Sequence, residues 1–559
     1  MRSTRITDVI HNDFEVIGDA VRNISGVVYD SRMVKGGELF VAVRGEKLDG
    51  WNFIEDAIKK GAVAVMYENK GPLPADLYMT MEKKYPEVTW IRVADIRDAL
   101  ARVAQRFYGC PSGEIVVIGI TGTNGKTTTS YIIRSILARW GEEVGIIGTI
   151  NYLIKDAVYE ARHTTPEAPD FQCLLREMRE AGCGFVVSEV SSHALVMKRA
   201  DYTRFKVAVF TNLTRDHLDF HTTMEEYFRA KERLFTELLN DDGIAVINVD
   251  DAHGMQLARI LRNRKPSVKV ITYALVNKDA DVTAFDIKTS YEGTSFKTRS
   301  GEDETEIMSQ MVGQTNVYNM LAALCAALAL NVPIKVIKEG IAMAGLVKGR
   351  FEKVDMGQDF LAVVDYAHTE DALERLLMTA RQLLEAYRFV GKTEKIMKEK
   401  RRQFAIPKRQ EQEQGKGKII TVLGCGGNRD KGKRSKMGEI ASRLSDFVII
   451  TSDNPRSENP KTIIKDIEKG IKGDSYIVIP DRNVAISMAV ELASSGEIVL
   501  VAGKGHEEYQ EIQGIRRSFS DRTALENAIK RTITRPAFGG GSTFAGLYAH
   551  DQSKRECSC

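Results

Sequence analysis

The sequence predicts an α/β protein built from mostly parallel sheets with helices on both faces. Three observations predict this class. Short β-branched apolar runs alternate with helical patterns, several of these runs end in polar or Gly-rich loops, and one run leads through a Gly-rich loop straight into a helix. Since parallel strands end at one edge of a sheet, we expect those loops to gather into a site there.

Length and composition bound the remaining possibilities. The 559 residues are enough for about three or four domains. With 79 Lys and Arg against 76 Asp and Glu, the net charge of +3 gives no reason to expect a nucleic-acid partner. Seven scattered cysteines without a C-x-x-C pair favour a reducing compartment, and no apolar run is long enough to span a membrane. We expect a cytoplasmic protein without membrane insertion.

The clearest motif is the stretch 115–129, IVVIGITGTNGKTTT. Its apolar first half predicts a strand buried on both faces. The glycines that follow let backbone N–H groups turn toward phosphate oxygens, a lysine adds a mobile positive charge, and a threonine hydroxyl can hold Mg²⁺. A helical pattern then begins, so phosphates would also meet a helix N-terminus. We therefore predict an ATP or GTP site formed by Gly122, Thr123, Asn124, Gly125, Lys126, Thr127 and Thr128.

Residues 1–112 precede this loop and predict a separate small α/β unit. Apolar runs at 27–29, 39–43 and 62–65 read as strands, and 53–60 reads as a helix that ends at a glycine. Taken alone, the loops of this unit are typical of solvated connections.

Residues 113–346 predict a central sheet that contains the phosphate loop. Further strands are expected at 144–148, 185–187 and 207–210. Glu189 lies just beyond a buried strand, where a P-loop enzyme places its second Mg²⁺ contact, so we expect it to act with Thr127. Lys231 lies on a later helix, and its spacing alone favours a surface position.

Residues 347–534 predict a second doubly wound sheet. Its strands, at 361–365, 419–423, 447–451 and 498–502, each end in a polar loop. A lysine-, arginine- and glutamate-rich stretch at 387–418 interrupts the alternation, and we expect a solvent-exposed helical insertion there rather than a nucleic-acid patch, because acids are interleaved with the bases. Residues 535–559 are expected to form a flexible tail.

Ten motifs follow one another along the chain: DSR (30–32), GTNGKTT (122–128), TTPE (164–167), EVSSHAL (189–195), TNLTRDHLDFH (211–221), YFRAKERLF (227–235), DYAHT (365–369), GCGGNRDKGKR (424–434), DNPR (453–456) and GKGHE (503–507). With them the chain resembles the Mur ligases of bacterial peptidoglycan synthesis over about residues 20–530. The resemblance implies three domains: a UDP-binding N-terminal domain (1–112), a central ATP-binding P-loop domain (113–346) and a C-terminal Rossmann-like domain that binds an amino acid (347–534).

The resemblance also implies an activity. It is the ATP-dependent addition of meso-2,6-diaminopimelate to UDP-N-acetylmuramoyl-L-alanyl-D-glutamate through an acyl phosphate. ATP would be a co-substrate and Mg²⁺ the metal, and we expect a monomer. Two alternatives stay open: the same ligase adding L-lysine, and a ligase like folylpolyglutamate synthetase, which the DSR and DNPR motifs disfavour. A nucleic-acid motor or switch NTPase is a third reading, disfavoured by the near-neutral charge.

Residue roles follow from the resemblance motif by motif. The nucleotide would be held by the phosphate loop with Asn316, Arg350 and Asp365. The UDP-muramoyl-dipeptide would be held by Ser31, Thr164, Thr165, Ser191 and Arg199. The catalytic residues would be Lys126, Glu189, His217 and Lys231, and the metal ligands Thr127, Glu189, His217 and Lys231, with Lys231 carbamylated to N6-carboxylysine. Met197 stands where the family often has Gln, which puts one dipeptide contact in doubt.

The amino-acid site would contain Arg429, Asp453, Asn454, Pro455, Arg456, Gly503 and Glu507. Diaminopimelate differs from lysine by a second carboxylate, and selecting for it requires a buried cation that can fork onto that group, which Arg456 offers. In the family, the DNPR motif marks enzymes that add meso-diaminopimelate, Arg429 binds the main carboxylate and Glu507 the distal ammonium. Read without the family, Asp-Asn-Pro is equally typical of a simple turn.

Overall fold

The α/β class predicted from the sequence is confirmed. The computed structural model describes residues 3–45, 48–68, 75–401 and 417–534. Within these ranges the strands form three large sheets, of five, eleven and six strands, and two small two-stranded sheets. One large sheet lies in each of the three predicted domains, while the exact domain limits stay a prediction.

The N-terminal sheet is mostly parallel, and only its first pair is antiparallel. In spatial order its strands are Glu15–Ile17, Thr89–Val93, Ala64–Glu68, Leu39–Val41 and Val27–Val28. A two-residue pair, Thr4–Arg5 with Asn23–Ile24, lies beside it. The helices of this unit are Ile6–Val9, Ile54–Lys59, Ala75–Lys84 and Ile96–Phe107, with 3-10 turns at Ser31–Met33, Gly50–Phe53 and Pro111–Gly113.

The central sheet places the phosphate-loop strand in its middle. Its order is Ala157–Glu160, Asn151–Ile154, Val144–Ile147, Phe185–Glu189, Val116–Thr121, Phe205–Phe210, Leu239–Asn248, Lys269–Ala274, Val282–Thr289, Thr294–Ser300 and Asp303–Ser309. Seven consecutive strands, Val144–Ile147 through Val282–Thr289, run parallel. Antiparallel strands that the sequence pattern does not reveal extend both edges.

Helices cover both faces of the central sheet, and each face carries its own apolar core. These helices are Lys126–Arg139, Ala168–Glu180, Ser192–Val196, Met224–Arg233, Ala252–Arg264, Gln314–Ala329 and Ile334–Met343, with a π-helical turn at Leu234–Leu238. The buried strands of this sheet are rich in valine and isoleucine on both sides, which is why their hydrophobicity is continuous rather than alternating.

The C-terminal sheet is parallel except for its first, two-residue strand. Its order is Glu352–Lys353, Leu361–Asp365, Ile498–Ala502, Ile419–Leu423, Phe447–Ile450 and Tyr476–Val478. A hairpin of Tyr509–Ile512 with Ile515–Ser518 forms a separate small sheet that is hydrogen-bonded to the loop at 453–456. The helices Glu370–Arg401, Gly432–Leu444, Pro460–Glu468, Arg482–Leu492 and Asp521–Thr534 enclose it.

The charged insertion at 387–418 begins within the helix Glu370–Arg401. The helix expected over 371–385 runs from Glu370 to Arg401, so the first part of the 387–418 stretch is helical, as predicted. Residues 402–416 and the tail 535–559 lie outside the described residues. Among the helices that are described, none is both long and apolar enough to cross a bilayer.

Candidate functional site

The phosphate loop joins the strand Val116–Thr121 to the helix Lys126–Arg139. At two of its positions only glycine fits the backbone conformation and the surrounding space. Gly122 has φ 147° and Gly125 has φ 89°. A Cβ at Gly122 would lie 1.9 Å from the Thr211 hydroxyl oxygen, and one at Gly125 would lie 2.3 Å from Asn319 Oδ1. Only glycine lets the backbone approach its neighbours this closely, which explains the spacing of the motif.

Two lysines converge on the carbonyl side of this loop. Lys126 Nζ donates to the carbonyl oxygens of Gly122 and Thr123, each at 2.9 Å, and Lys231 Nζ donates to the same Gly122 oxygen at 2.8 Å. Lys231 is only 1% exposed, so the surface position favoured by its spacing is wrong. Its helix, Met224–Arg233, turns this side chain inward against the Tyr227 ring, 4.6 Å from the ring centre.

Burial changes the chemistry of these lysines. The pKa of Lys231 lies well below its ordinary value, first because the ammonium is removed from water and then because the Lys126 charge is near. Burial lowers the pKa of Lys126 as well, against the attraction of Glu189. For Lys231 this shift favours the neutral amine, which is the nucleophilic form of the side chain.

The predicted pairing of Thr127 with Glu189 is present. Thr127 Oγ1 donates to Glu189 Oε2 at 3.0 Å, and both side chains are buried. Thr149 donates to the same carboxylate from its backbone N–H (2.9 Å) and its hydroxyl (2.9 Å). The carboxylate ends the strand Phe185–Glu189, directly beside the phosphate-loop strand.

The donor chemistry fits Mg²⁺, because a hydroxyl and a carboxylate oxygen beside a phosphate loop are hard oxygen ligands. Among the residues that the structure describes, no group of three or more His, Cys, Asp or Glu side chains is arranged to hold a metal by itself. Mg²⁺ is commonly held by one or two protein oxygens, with waters and substrate phosphates as its other ligands.

His217 lines the same cavity as Thr127 and Glu189 but makes no hydrogen bond to either side chain. It adopts a left-handed φ of 55°, and its Nε2 lies 3.3 Å from Asp216 Oδ2. Burial lowers its pKa, so the imidazole is neutral and has a lone pair available. Asp216 also approaches His368 Nε2, at 3.8 Å, which brings the central and C-terminal domains together at this point.

Three residues outside the phosphate loop, Asn316, Arg350 and Asp365, are predicted to contact the nucleotide, and they come from two of the predicted domains. Arg350 Nη2 reaches Thr127 Oγ1 at 3.5 Å and its guanidinium lies over the Tyr366 ring, 4.4 Å from the centre. Asp365 accepts backbone N–H groups from Phe351 (2.6 Å) and Ala367 (2.8 Å), and burial raises its pKa. Asn316 donates to the Val312 carbonyl at 2.9 Å. All three predicted residues line the cavity described next.

This first cavity has a volume of about 250 Å³ and opens directly on the phosphate loop. Its wall includes Asn124, Gly125, Lys126, Thr127, Thr128, Glu189, His217, Asn316, Arg350 and Asp365. Thr123 lines it too, whereas Gly122 and Lys231 lie behind the loop. All of the residues predicted to bind the nucleotide except Gly122 thus border one space, and their binding roles stay a prediction.

The residues predicted to hold the dipeptide form a hydrogen-bonded strip beside Glu189. Thr165 Oγ1 donates to the Glu189 carbonyl at 2.8 Å and accepts from Ser191 N at 3.1 Å, while Thr164 Oγ1 lies 3.1 Å from the Thr149 hydroxyl. Arg199 Nη1 donates to the Thr165 carbonyl at 3.2 Å. Arg199 also pairs with Glu167 at 2.8 Å and leaves one buried N–H, Nε, without a partner in the described part of the chain.

Ser31 is not brought to this strip. It is buried in the N-terminal unit, where its carbonyl accepts from Lys60 Nζ at 3.2 Å, and it lines neither of the two cavities described here. Nearby, Tyr29 donates to Asp170 of the central domain at 2.6 Å.

A second cavity, of about 790 Å³, lies between the central and C-terminal sheets. Its wall includes the predicted amino-acid residues Arg429, Asp453, Asn454, Arg456, Gly503 and Glu507. It shares Thr149, Thr164, Asp216, His217, Tyr366 and His368 with the first cavity. The two spaces therefore meet at the loop that follows Phe205–Phe210.

A buried lysine organises the acidic part of this second cavity. Lys504, 0% exposed, lies within hydrogen-bond reach of Asn454 Oδ1 (3.0 Å) and Glu507 Oε2 (3.2 Å), with Asp453 Oδ1 at 3.4 Å. Asn454 Nδ2 donates to Glu507 Oε2 at 2.7 Å. Burial raises the pKa of Glu507. Pro455 is buried beside them, and its carbonyl oxygen would lie 2.0 Å from a Cβ on Gly427.

The two predicted arginines lie at the mouth of this cavity. Arg456 has φ 52° and donates from Nη1 to the Gly427 carbonyl at 2.8 Å. It is half-buried rather than buried as expected, because its guanidinium faces the open cavity. Arg429 is exposed and makes a 3.4 Å contact with the Asn428 carbonyl. Both guanidinium groups keep donors available for anions.

Sequence reasoning missed several polar residues of the site. Asp371 accepts from Asn124 Nδ2 at 3.0 Å, and so links the C-terminal domain to the phosphate loop. Asp216, His368 and Lys504 lie inside motifs already quoted, and Thr149 follows the strand expected at 144–148. Their roles depend on contacts between distant parts of the chain. Their position at strand ends was the available signal.

Comparison with known proteins agrees with this architecture. Residues 23–108 match the catalytic domain of the Mur ligase family, residues 120–327 the Mur ligase middle domain, and residues 405–505 the Mur ligase glutamate ligase domain. These three matches fall on the three large sheets in turn.

Relatives match almost end to end. The chain is 40% identical to the UDP-N-acetylmuramoyl-L-alanyl-D-glutamate-2,6-diaminopimelate ligase of Caldanaerobacter subterraneus subsp. tengcongensis, over 94% of this chain and 99% of that protein. The ligase of the same name from Bacillus licheniformis is 40% identical over 95% and 99%. A solved structure of a ligase with this name superposes with a TM-score of 0.61 at 30% identity, over 96% of this chain and 100% of that one. The chain belongs to the Mur ligase family.

Proposed function

We propose that this chain is an ATP-dependent ligase that adds meso-2,6-diaminopimelate to UDP-N-acetylmuramoyl-L-alanyl-D-glutamate during peptidoglycan precursor synthesis in the cytoplasm. The observation that carries the proposal is the meeting of two cavities at Asp216, His217 and His368. One cavity opens on a phosphate loop, and the other presents two arginines opposite a buried carboxylate cluster. The relatives that match almost end to end carry the name of this ligase.

The shape of the site supports a reaction between three substrates. ATP would occupy the first cavity, with its phosphates on the loop and on Lys126, and Arg350 and Asp365 toward the nucleoside. The dipeptide would lie along the strip of Thr164, Thr165 and Ser191, which borders the phosphate end of that cavity. The nucleotide end of this substrate would extend from there toward Ser31.

Amide formation in water is uphill, so the carboxylate must be activated first. In the first step an oxygen of the dipeptide carboxylate bonds to the γ-phosphorus while the bond from that phosphorus to the bridging oxygen breaks, which releases ADP. In the second step the neutral amine of diaminopimelate bonds to the acyl carbon and the bond from carbon to the phosphoryl oxygen breaks. The proton lost by the amine leaves with phosphate as the hydrogen phosphate dianion.

Lys126 and Mg²⁺ would supply the positive charge that stabilises the phosphoryl group in these steps. Lys126 would lie on the transferring phosphoryl group. Thr127 and Glu189 would hold one Mg²⁺, and His217 with Glu189 and a modified Lys231 a second. When bound, Mg²⁺ supplies charge neutralisation on the phosphates.

Lys231 suits a carbamate. A cation cannot be bound by an ammonium, but the neutral amine favoured by burial can attack CO₂, forming an N–C bond and releasing a proton. The product is an anionic oxygen donor close to Lys126, and the attraction between the two would stabilise it. We therefore propose that the active protein carries N6-carboxylysine at Lys231.

Amino-acid selection would lie in the second cavity. Arg429 would bind the main carboxylate, Arg456 the distal carboxylate, and Glu507 beside Asn454 the distal ammonium. Arginine is suited to this role because its guanidinium forks onto a carboxylate with two parallel hydrogen bonds. Gly503, with φ 119° next to Asp453, leaves room at the backbone for the ligand.

The test is ADP release by the purified chain with UDP-muramoyl-dipeptide, ATP, Mg²⁺ and one amino acid at a time. We expect ADP only in the complete mixture with meso-diaminopimelate, and a product heavier than the dipeptide by one diaminopimelate residue. Turnover with a folate and glutamate instead would contradict the proposal, and so would ATP hydrolysis that depends on DNA.

A further inference from the structure

Lys504 lies directly behind the wall of the second cavity. Its side chain is 0% exposed and does not line the cavity, whereas three side chains that surround its ammonium, those of Asp453, Asn454 and Glu507, do line it. A ligand in the cavity therefore meets these three side chains, and Lys504 acts on the ligand only through them.

The contacts of the Lys504 ammonium match its three N–H donors. Asn454 Oδ1 lies 3.0 Å from Nζ, Glu507 Oε2 lies 3.2 Å from it and Asp453 Oδ1 lies 3.4 Å from it. An ammonium has three donors and no acceptor, so each donor has one oxygen to bind. Since the lysine is buried, these contacts hold one oxygen of each neighbour on the side away from the cavity.

The same contacts decide how Asn454 and Glu507 face each other. Asn454 Oδ1 also accepts the Glu511 backbone N–H at 2.9 Å, so two donors fix the amide oxygen. The amide nitrogen then points to Glu507 and donates to Oε2 at 2.7 Å. Within the described residues, the hydrogen bonds of the Glu507 carboxylate all use Oε2, which leaves Oε1 for a ligand in the cavity.

Lys504 also balances the charge of two neighbouring carboxylates. Burial and then the Asp453 charge raise the pKa of Glu507, while Lys504 acts in the opposite direction. Without the lysine, two carboxylates in one buried site would share a proton, because like charges at close range disfavour full ionisation. A protonated Glu507 attracts an ammonium ligand less than a carboxylate does.

We propose that Lys504 is a positioning residue for recognition of the distal ammonium of diaminopimelate, because it holds Glu507 and Asn454 with one carboxylate oxygen facing the ligand. The inference rests on the proposed function, in which Glu507 beside Asn454 binds that ammonium. It adds that this recognition depends on a lysine that the ligand does not touch. Arg429 and Arg456, proposed for the two carboxylates, contact the carbonyls of residues 427 and 428 instead, so recognition of the carboxylates should not depend on Lys504.

The test measures the preference for the distal ammonium by itself. L-2-aminopimelate keeps both carboxylates and the reacting amine of diaminopimelate but lacks the distal amine. We expect the unmodified protein to prefer meso-diaminopimelate about a hundredfold in kcat/KM, because the analogue leaves Glu507 unpaired. Lys504→Met should reduce this preference to less than about tenfold, with KM for ATP changed by less than about threefold.

The preference is a ratio of two kcat/KM values for one protein, so a loss of folded protein cancels. Lys469→Met is the control, since Lys469 lies in the same domain, is 70% exposed and pairs with Asp466. This control should keep the full preference. An unchanged or larger preference in Lys504→Met, even with lower activity on both amino acids, would overturn the assignment and leave Lys504 a structural residue.

If Lys504→Met does not fold, crystals of the unmodified protein with meso-diaminopimelate decide instead. A distal nitrogen about 3 Å from Glu507 Oε1, with Lys504 Nζ still bonded to Asn454 and Glu507, supports the proposal. A ligand atom bonded to Nζ, or a distal ammonium bound elsewhere, contradicts it. A failure of the proposed ligase activity looks different, because the unmodified protein would then turn over neither amino acid.

Discussion

Lys231 Nζ donates a 2.8 Å hydrogen bond to the carbonyl oxygen of Gly122. This contact ties the helix Met224–Arg233 to the first glycine of the phosphate loop and buries the amine almost completely. Burial also lowers the pKa of Lys231 and so favours the neutral amine, the form that the proposed reaction with CO₂ requires. Loop conformation and side-chain chemistry are therefore coupled at this one contact.

We predict that Lys231→Ala is nearly inactive and that formate or acetate restores part of its rate, because a short carboxylate can replace the missing carbamate oxygens. The measurement is kcat with increasing carboxylate. Lys206→Ala, which removes a surface lysine paired with Asp242, is the control and should keep full activity. If active, metal-bound protein under ¹³CO₂ shows no carbamate signal in its ¹³C NMR spectrum, the carbamate at Lys231 is excluded.

Lys126→Ala should abolish ligation and leave the fold intact. The lysine makes hydrogen bonds only to loop carbonyls in this structure, so its loss removes phosphate stabilisation rather than core packing. Losing one such cation costs on the order of a hundredfold or more in kcat. Circular dichroism and the melting temperature should match the unmodified protein, and normal turnover would refute the nucleotide site.

Gly125→Ala should weaken ATP binding more than tenfold. Its Cβ would lie 2.3 Å from Asn319 Oδ1, in addition to the strain of φ 89°. Gly141→Ala is a matched control, because Gly141 has φ 95° but open space around its Cβ position. The control should lose about 1 kcal/mol of unfolding free energy with unchanged ATP affinity. Equal ATP affinity in the two variants would contradict the tight approach at the loop.

The pH dependence of stability should contain a contribution from His506. Burial lowers its pKa to about 3, and its Nδ1 has no hydrogen-bond partner among the described residues. Because the unfolded chain takes up a proton near pH 6.5 and the folded one does not, stability is full above that pH and falls as the pH drops. His506→Phe should remove up to about 2 kcal/mol of the loss between pH 6.5 and 5. Denaturant unfolding measures this, with exposed His11→Asn as control; an unchanged slope would contradict it.

Local patterns predicted the strand, loop and helix at 115–129. They also predicted that Glu189 lies beside Thr127, because each residue follows or ends a buried strand and the two strands are neighbours in the sheet. They failed for Lys231, whose spacing on its helix does not reveal that the phosphate loop covers it. The contact of Asp216 with His368 depends on how two domains meet, which no local period encodes. The edge hairpin of Asn151–Ile154 with Ala157–Glu160 was missed because its outer strand has only four residues, all exposed, so that no alternation of apolar and polar positions marks it.

The choice of amino acid tests the central claim most directly. Lysine lacks the distal carboxylate and would leave the Arg456 guanidinium facing the cavity unpaired, so we predict that kcat/KM for meso-diaminopimelate exceeds that for L-lysine by roughly a thousandfold. Arg456→Ala should lose most of this preference, whereas Arg516→Ala, on the outer hairpin beside Tyr509, should keep it. The measurement is the ratio of the two kcat/KM values for the unmodified protein in one assay. A ratio near the prediction supports the account, and comparable values for the two amino acids would contradict it.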